Sequence, residues 1–181
     1  SSITTKVLQG FGEILEREWP DLVLVHGDTT TSFAAALAAF YRQIPVGHVE
    51  AGLRTYNLYA PFPEEFNRQS VDMVSSVYFA PTRKAEENLL SEGKRAGDIY
   101  VTGNTVIDAL RHTVNRNYED ENLNWAGDGR MLLLTSHRRE NIGEPMKNIF
   151  RAVRRAVEET PDVRVVFPVH KNPEIRETAE K

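Results

Sequence analysis

The chain has 181 residues, 40% hydrophobic and 27% charged, enough for one sizeable core or parts of two. A net charge of -4 and a pI near 5.8 argue against a nucleic-acid or anionic-membrane surface. Cysteine is absent, which excludes disulfides and thiol chemistry and fits a reducing compartment, and no apolar run approaches the roughly 18 residues of a membrane span. The start, SSITTKV, has neither the basic nor the apolar region of a leader, so a cytoplasmic enzyme is the default expectation. The chain lacks an initiator Met and stops inside the charged segment ETAEK, which reads as a piece of something longer.

In order, strand and helix alternate. Ile3, Val7, Phe11, Ile14 and Leu15 recur at helical spacing, and Trp19-Pro20-Asp21 closes that helix. The continuous apolar run Leu22 to Val25 predicts a parallel strand buried on both faces. His26-Gly27-Asp28-Thr29-Thr30-Thr31 follows as a strand-to-helix turn with an N-cap, then an Ala-rich helix from about Ser32 to Gln43. Val46 to Val49 is the next strand, Glu64 to Val74 a helix behind Pro63, and Val77 to Ala80 a strand. A helix from Pro81-Thr82 to Gly93, a strand at Ile99 to Val101 and a short helix through Thr113 complete a first domain, residues 1–114. The polar stretch 115–130, NRNYEDENLNWAGDGR, reads as a linker. Beyond it, residues 131–181 restart the alternation: a strand at Met131 to Leu134, a polar turn from Thr135 to Pro145, a basic amphipathic helix from Met146 to Glu159, and a strand at Val163 to Val169 ending in His170-Lys171-Asn172-Pro173. The fold class is α/β, two doubly wound units with the substrate expected in the cleft between them.

The densest chemistry lies in VGHVEAGLRTYNLYAPFPEEFNR, residues 46–68, where a short strand runs into a polar loop. His48, Glu50, Arg54, Glu64, Glu65 and Arg68 crowd one connection, and open α/β folds keep their chemistry in such loops at the carboxyl ends of strands. Arg54 and Arg68 could hold phosphate, although an arginine beside Glu64 and Glu65 is more often a structural ion pair. His26 and His48 flank apolar strands and read as satisfied core or supporting histidines. A metal site of His26, Asp28, His48 and Glu50 lacks an HExxH or comparable ligand spacing, so no metal is expected. Asn104 follows a strand, where it either lines the cleft or caps the next helix. No GxGxxG fingerprint is present, so no dinucleotide cofactor is expected.

Six blocks, HGDTTTSFAAALAAF, VGHVEAGLRT, PFPEEFNR, TGNTVIDAL, SHRREN and VHKNP, in this order and spacing closely resemble the non-hydrolysing bacterial UDP-N-acetylglucosamine 2-epimerases. The resemblance spans nearly the whole chain. It implies two Rossmann-like domains in the GT-B arrangement, here truncated at both ends and therefore inactive alone, and a homodimer when full length. It also implies interconversion of UDP-GlcNAc and UDP-ManNAc without a cofactor, supplying ManNAc for cell-surface polysaccharide. Asp28, Glu50 and Glu64 match the family's catalytic carboxylates, and His137 its catalytic histidine at the nucleotide side. Arg138 and His170, with Glu64 between the two sites, match positions where a second UDP-GlcNAc acts as allosteric activator; read alone, Arg138 would pair with Glu140 or another acid and His170 would cap a turn.

The proton on C2 of the sugar has no adjacent carbonyl to make it acidic. A workable route expels UDP through oxocarbenium character at C1, passes through 2-acetamidoglucal, and returns UDP after a proton reaches the opposite face. That route needs carboxylates near C1 and C2 and polar groups around the diphosphate. A GT-B glycosyltransferase, a hydrolysing 2-epimerase and an inactive nucleotide-sugar-binding piece are the competing expectations.

Overall fold

The apolar stripe of the first helical segment forms α1, Ser2–Glu18, in a computed structural model that describes residues 2–115, 117–138 and 141–180. Leu15 is its innermost side chain, and burial of this kind contributes about 1.5–3 kcal/mol. The helix closes where the Trp19 N–H donates to the Leu15 carbonyl and Trp19 takes a positive φ of 39°, just ahead of Pro20.

Then follow β1 (Val23–His26), α2 (Thr30–Phe40), β2 (Val46–Val49), α3 (Glu64–Val74), β3 (Val77–Ala80), α4 (Arg83–Ser91), β4 (Ile99–Val101) and α5 (Thr105–Thr113). The four strands make one parallel sheet in sequence order. Its register sets Val25, His48, Tyr78 and Ile99 in one row, and residues paired in this way share a face. All four are buried, in a core completed by α2 and α3 at one end and by α4 at the other. Ala34, Ala36, Ala38 and Ala39 are fully buried on α2, and their small size lets that helix sit close to its neighbours.

The expectation that the first strand is buried on both faces is not met. Val23 and Val25 are covered, whereas Leu24 is 59% exposed, and Tyr100 on the same face of the sheet is 52% exposed. An apolar run permits two-sided burial without enforcing it, because the cover comes from helices, and those named above pack on the Val25 row.

The chain divides into two compact units, Ser1–Val114 and Asn115–Lys181. The second contains α6 (Glu121–Ala126), β5 (Arg130–Leu133), α7 (Glu144–Glu158), β6 (Val163–Val166) and α8 (Pro173–Glu180), with β5 and β6 paired in parallel. Its largest fully buried side chains are Met146 and Ile175. The stretch expected to be a plain linker thus carries a helix. Asp120 caps α6 by accepting from the Asn122 N–H, and Ala126 is buried. Six residues are too few for apolar periodicity to register. Helix α8 was not anticipated either, for the same reason. Among the described residues no helix is long and apolar enough to cross a membrane.

Candidate active site

Three of the four strands of the first unit, β1, β2 and β4, end in turns that carry expected residues. After β1, Gly27 takes a positive φ of 69° and its N–H donates to the Val49 carbonyl, tying this turn to the end of β2. Thr29, not Asp28, caps α2: its hydroxyl accepts from the Ser32 N–H at 3.1 Å. The Asp28 carboxylate is left to pair with Arg68 at 2.9 Å, and the Asn67 side chain donates to the Asp28 carbonyl, so α3 grips this turn twice.

After β2, Glu50 adopts φ +73°, a left-handed conformation that costs a non-glycine residue about 1–2 kcal/mol. The N–H groups of Glu50 and Ala51 both donate to the Phe79 carbonyl of β3, which holds that turn in place. Gly52 continues it at φ +82°, where a Cβ would lie 2.3 Å from the Ala85 carbonyl oxygen, so only glycine fits. One Glu50 oxygen lies 3.3 Å from where a Gly27 Cβ would stand, which brings the two carboxylate-bearing turns side by side. The other is 3.4 Å from the Asn104 amide nitrogen. Asn104 also caps α5 by accepting from the Val106 N–H, the simpler of its two expected roles.

Beneath these turns lies a buried charge network. His48 and Asp72, both with almost no exposure, meet at 2.5 Å between Nδ1 and Oδ1, and His48 Nε2 is 3.0 Å from the Gly27 carbonyl oxygen. The other Asp72 oxygen accepts from the Gly52 N–H and from Arg54. Burial pushes the Asp72 carboxyl up, but His48 and Arg54 more than offset this and hold it below the ordinary range. Tyr78 donates to the carbonyls of Asp72 and Ser75, and its burial, with the charge of Asp72, pushes it up to about 12.

Two expected positions need correction. Arg54, a candidate for binding phosphate, has a fully buried side chain paired with Asp72 and Glu92, both at 2.7 Å. Its guanidinium is committed to these carboxylates, so its role is structural. His26, read as a satisfied core or supporting histidine, is not in the core: it is 58% exposed at the end of β1, with Nε2 3.4 Å from the Thr105 hydroxyl and 3.9 Å from Glu50. The strand alternation turns it to the uncovered face of the sheet. His48, in contrast, is buried with both ring nitrogens engaged, as read from the sequence.

The paired glutamates at the start of α3 differ. Glu65 is fully buried and accepts from the Thr55 and Tyr56 N–H groups and from Gln69, which fixes the loop between β2 and α3. Burial pushes its carboxyl up, but these bonds and the nearby Arg68 charge bring it below the ordinary value. Glu64 is half-buried, and among the described residues nothing binds its carboxylate. Arg68 lies between Asp28 and Glu65 and is only 12% exposed, so its guanidinium is already paired.

In the second unit the expected residues follow the two strands. His137, Arg138 and His170 are exposed, and the rings of His137 and His170 stack at 5.3 Å between centroids with 17° between planes. The Asn172 N–H donates to His170 Nδ1, which fixes the ring of His170. Ser136, overlooked in the sequence, is buried with a hydroxyl that has no partner among the described residues. Helix α7 begins at Gly143 without a side-chain cap. Arg139 and Glu140, which belong to the SHRREN block, lie outside the described residues, as does the expected pairing of Arg138 with Glu140. Among the described residues no three His, Asp or Glu converge to hold a metal ion.

The sequence reading also overlooked Asp72, Asn67 and Glu92. A signal for Asp72 was present: Glu65, Arg68, Gln69 and Asp72 recur at helical spacing and mark a polar stripe on the inward face of α3.

Comparison with known proteins bears on this geometry. A UDP-N-acetylglucosamine 2-epimerase from Bacillus subtilis is 57% identical over 181 residues, all of this chain and 48% of that protein. Among solved structures, S. aureus MnaA in a co-structure with UDP superposes with a TM-score of 0.95 at 53% identity, covering 99% of this chain and 49% of that one. The Neisseria meningitidis UDP-GlcNAc 2-epimerase bound to UDP-GlcNAc gives a TM-score of 0.89 at 45% identity, covering 98% and 50% respectively. The chain spans about half the length of the curated relatives it matches. The family model for UDP-N-acetylglucosamine 2-epimerase matches residues 1–181, and the chain belongs to that family.

Proposed function

We propose that this chain carries the sugar-side carboxylates and part of the nucleotide side of an enzyme that interconverts UDP-GlcNAc and UDP-ManNAc. The observation that carries the reading is the pair of adjoining turns bearing Asp28 and Glu50, fixed by backbone bonds between strand ends. The carboxylates remain 29% exposed, so they are open to a ligand while their backbones are fixed. A carboxylate takes the C2 proton, the C2–H electron pair forms the C1–C2 double bond, and the C1–O pair leaves with UDP. The reverse steps deliver a proton to the opposite face of C2 and restore the C1–O bond. Asp28, Glu50 and Glu64 share proton transfer and stabilisation of the cationic character at C1. His137 stabilises the departing diphosphate, and the uncapped start of α7 and the unpartnered Ser136 hydroxyl suit an anion nearby.

Arg138 and His170 bind a second UDP-GlcNAc as activator, and the His137–His170 stack supports direct coupling to His137. The complete protein is a homodimer of the cytoplasm that supplies ManNAc units for cell-surface polysaccharide. Product analysis on the complete gene product tests the reading. UDP-ManNAc as the sugar product is expected, whereas free ManNAc with UDP would assign the chain to hydrolysis, and transfer to an added acceptor would make it a glycosyltransferase.

A further inference from the structure

We infer that His48 and Asp72 are positioning residues that lock the Asp28 and Glu50 turns to each other, with the His48 ring donating from both nitrogens. The inference rests on the proposed epimerase reading for its catalytic consequence and on geometry alone for its protonation state. The Gly27 carbonyl oxygen can only accept, so Nε2, 3.0 Å away, must carry a proton. At the other end of the ring, Nδ1 is 2.5 Å from an Asp72 carboxylate that already takes the Gly52 N–H and Arg54 on its second oxygen. A lone pair on Nδ1 would face that anion, so Nδ1 donates as well.

The charges balance. His48, Asp72, Arg54 and Glu92 alternate in sign along one chain of contacts, and the neutral Tyr78 hydroxyl closes the side toward β3. No charge in this network stands alone, which is the condition under which such a network persists.

The positions of the two anchor points give the network its role. One end of the dyad holds the carbonyl of Gly27, the residue before Asp28. The other end holds the N–H of Gly52, two residues after Glu50, while Asn88 donates to the Gly52 carbonyl from the far side. Glu50 sits in a conformation that it would leave if unsupported. Packing alone would be served as well by apolar residues, but these could not bond a carbonyl in one turn and an N–H in the next.

The test uses the complete gene product with Asp72→Asn, His48→Gln and the double variant. Epimerisation kcat is expected to fall about 10- to 100-fold in each single variant at temperatures well below unfolding, with the affinity for UDP within about twofold of the wild type. The double variant is expected to lose no more than the worse single one, because the pair acts as a unit. Single variants with lower melting temperatures but unchanged kcat, or losses that multiply in the double variant, would overturn the inference. Should the variants fail to fold, nitrogen NMR of the wild-type histidines decides: two protonated ring nitrogens on His48 are expected at neutral pH, and a ring with one bare nitrogen contradicts the inference. Absence of UDP-ManNAc formation by the wild type would sink the epimerase reading and leave the NMR result standing.

Discussion

The strand ends of the first unit and those of the second hold their polar side chains in opposite ways. In the first, His48, Glu65 and Asp72 and the Arg54 side chain are buried and bonded to one another or to turn backbone, while Asp28, Glu50, Glu64 and His26 keep access to solvent. In the second, His137, Arg138 and His170 are all exposed, and two of them touch mainly through a ring stack. The difference teaches where a substitution should be felt. Around the carboxylates the supporting residues hold the turns, and under the proposed function the accessible ones carry the chemistry. At the histidines the side chains are exposed and pack little against the fold, so their loss should leave the fold alone.

The largest effect is expected from Asp72→Ala. It leaves His48 and Arg54 without their shared partner in a dry site, and removal of one member of a buried charge pair costs about 3–5 kcal/mol. Urea unfolding measures it, and a loss below about 1 kcal/mol would show that the network is not holding the first unit. Next is Glu50→Gln in the complete gene product, expected to slow turnover by about 100-fold, worth roughly 2.7 kcal/mol, with little change in the unfolding midpoint.

Glu65→Gln against Glu64→Gln sharpens the contrast inside a single helix turn. Loss of the Glu65 charge weakens bonds from Thr55, Tyr56 and Gln69 and should cost about 1.5–3 kcal/mol of stability. The half-buried Glu64 should cost almost none and reduce activity instead. Acid titration follows from the same groups. Asp72 and Glu65 are both held below their ordinary values, so the stability they add is complete above about pH 4 to 5 and drains away as pH falls through their folded values. Unfolding midpoints of the wild type should therefore drop steeply below about pH 4, and those of Asp72→Asn and Glu65→Gln less so. The smallest effect is expected from His137→Asn, which should leave the unfolding midpoint unchanged while impairing turnover; a lowered midpoint would mean that the second unit depends on this ring for its fold.

The parts legible in the sequence were those with an unbroken local signal. The strand Val46–Val49 is a short segment bounded by Val at both ends between polar turns, and α3 begins directly at Pro63-Glu64-Glu65, so both were placed at their observed bounds. Helix α6 was hidden because six residues are too few to carry a period, and its hold on the second unit includes the Arg164 guanidinium over Trp125, a contact across 39 positions. At the site, the turns bearing Asp28 and Glu50 could be read because strand-end loops concentrate polar residues. The partners of Arg54 could not, since Asp72 and Glu92 are 18 and 38 residues away and meet it only after α3 and α4 have packed. The exposure of His26 was equally hidden: the rest of its strand is apolar, and only the helix packing decides which face is covered.

The central claim, that the carboxylates of the first unit move the C2 proton, is tested most directly by running the complete gene product on UDP-GlcNAc in heavy water. Deuterium should appear at C2 of both UDP-GlcNAc and UDP-ManNAc, and Asp28→Asn, Glu50→Gln and Glu64→Gln should slow its entry together with epimerisation by about 100-fold. Retention of the original C2 hydrogen through many turnovers, or full activity in all three variants, would contradict the account.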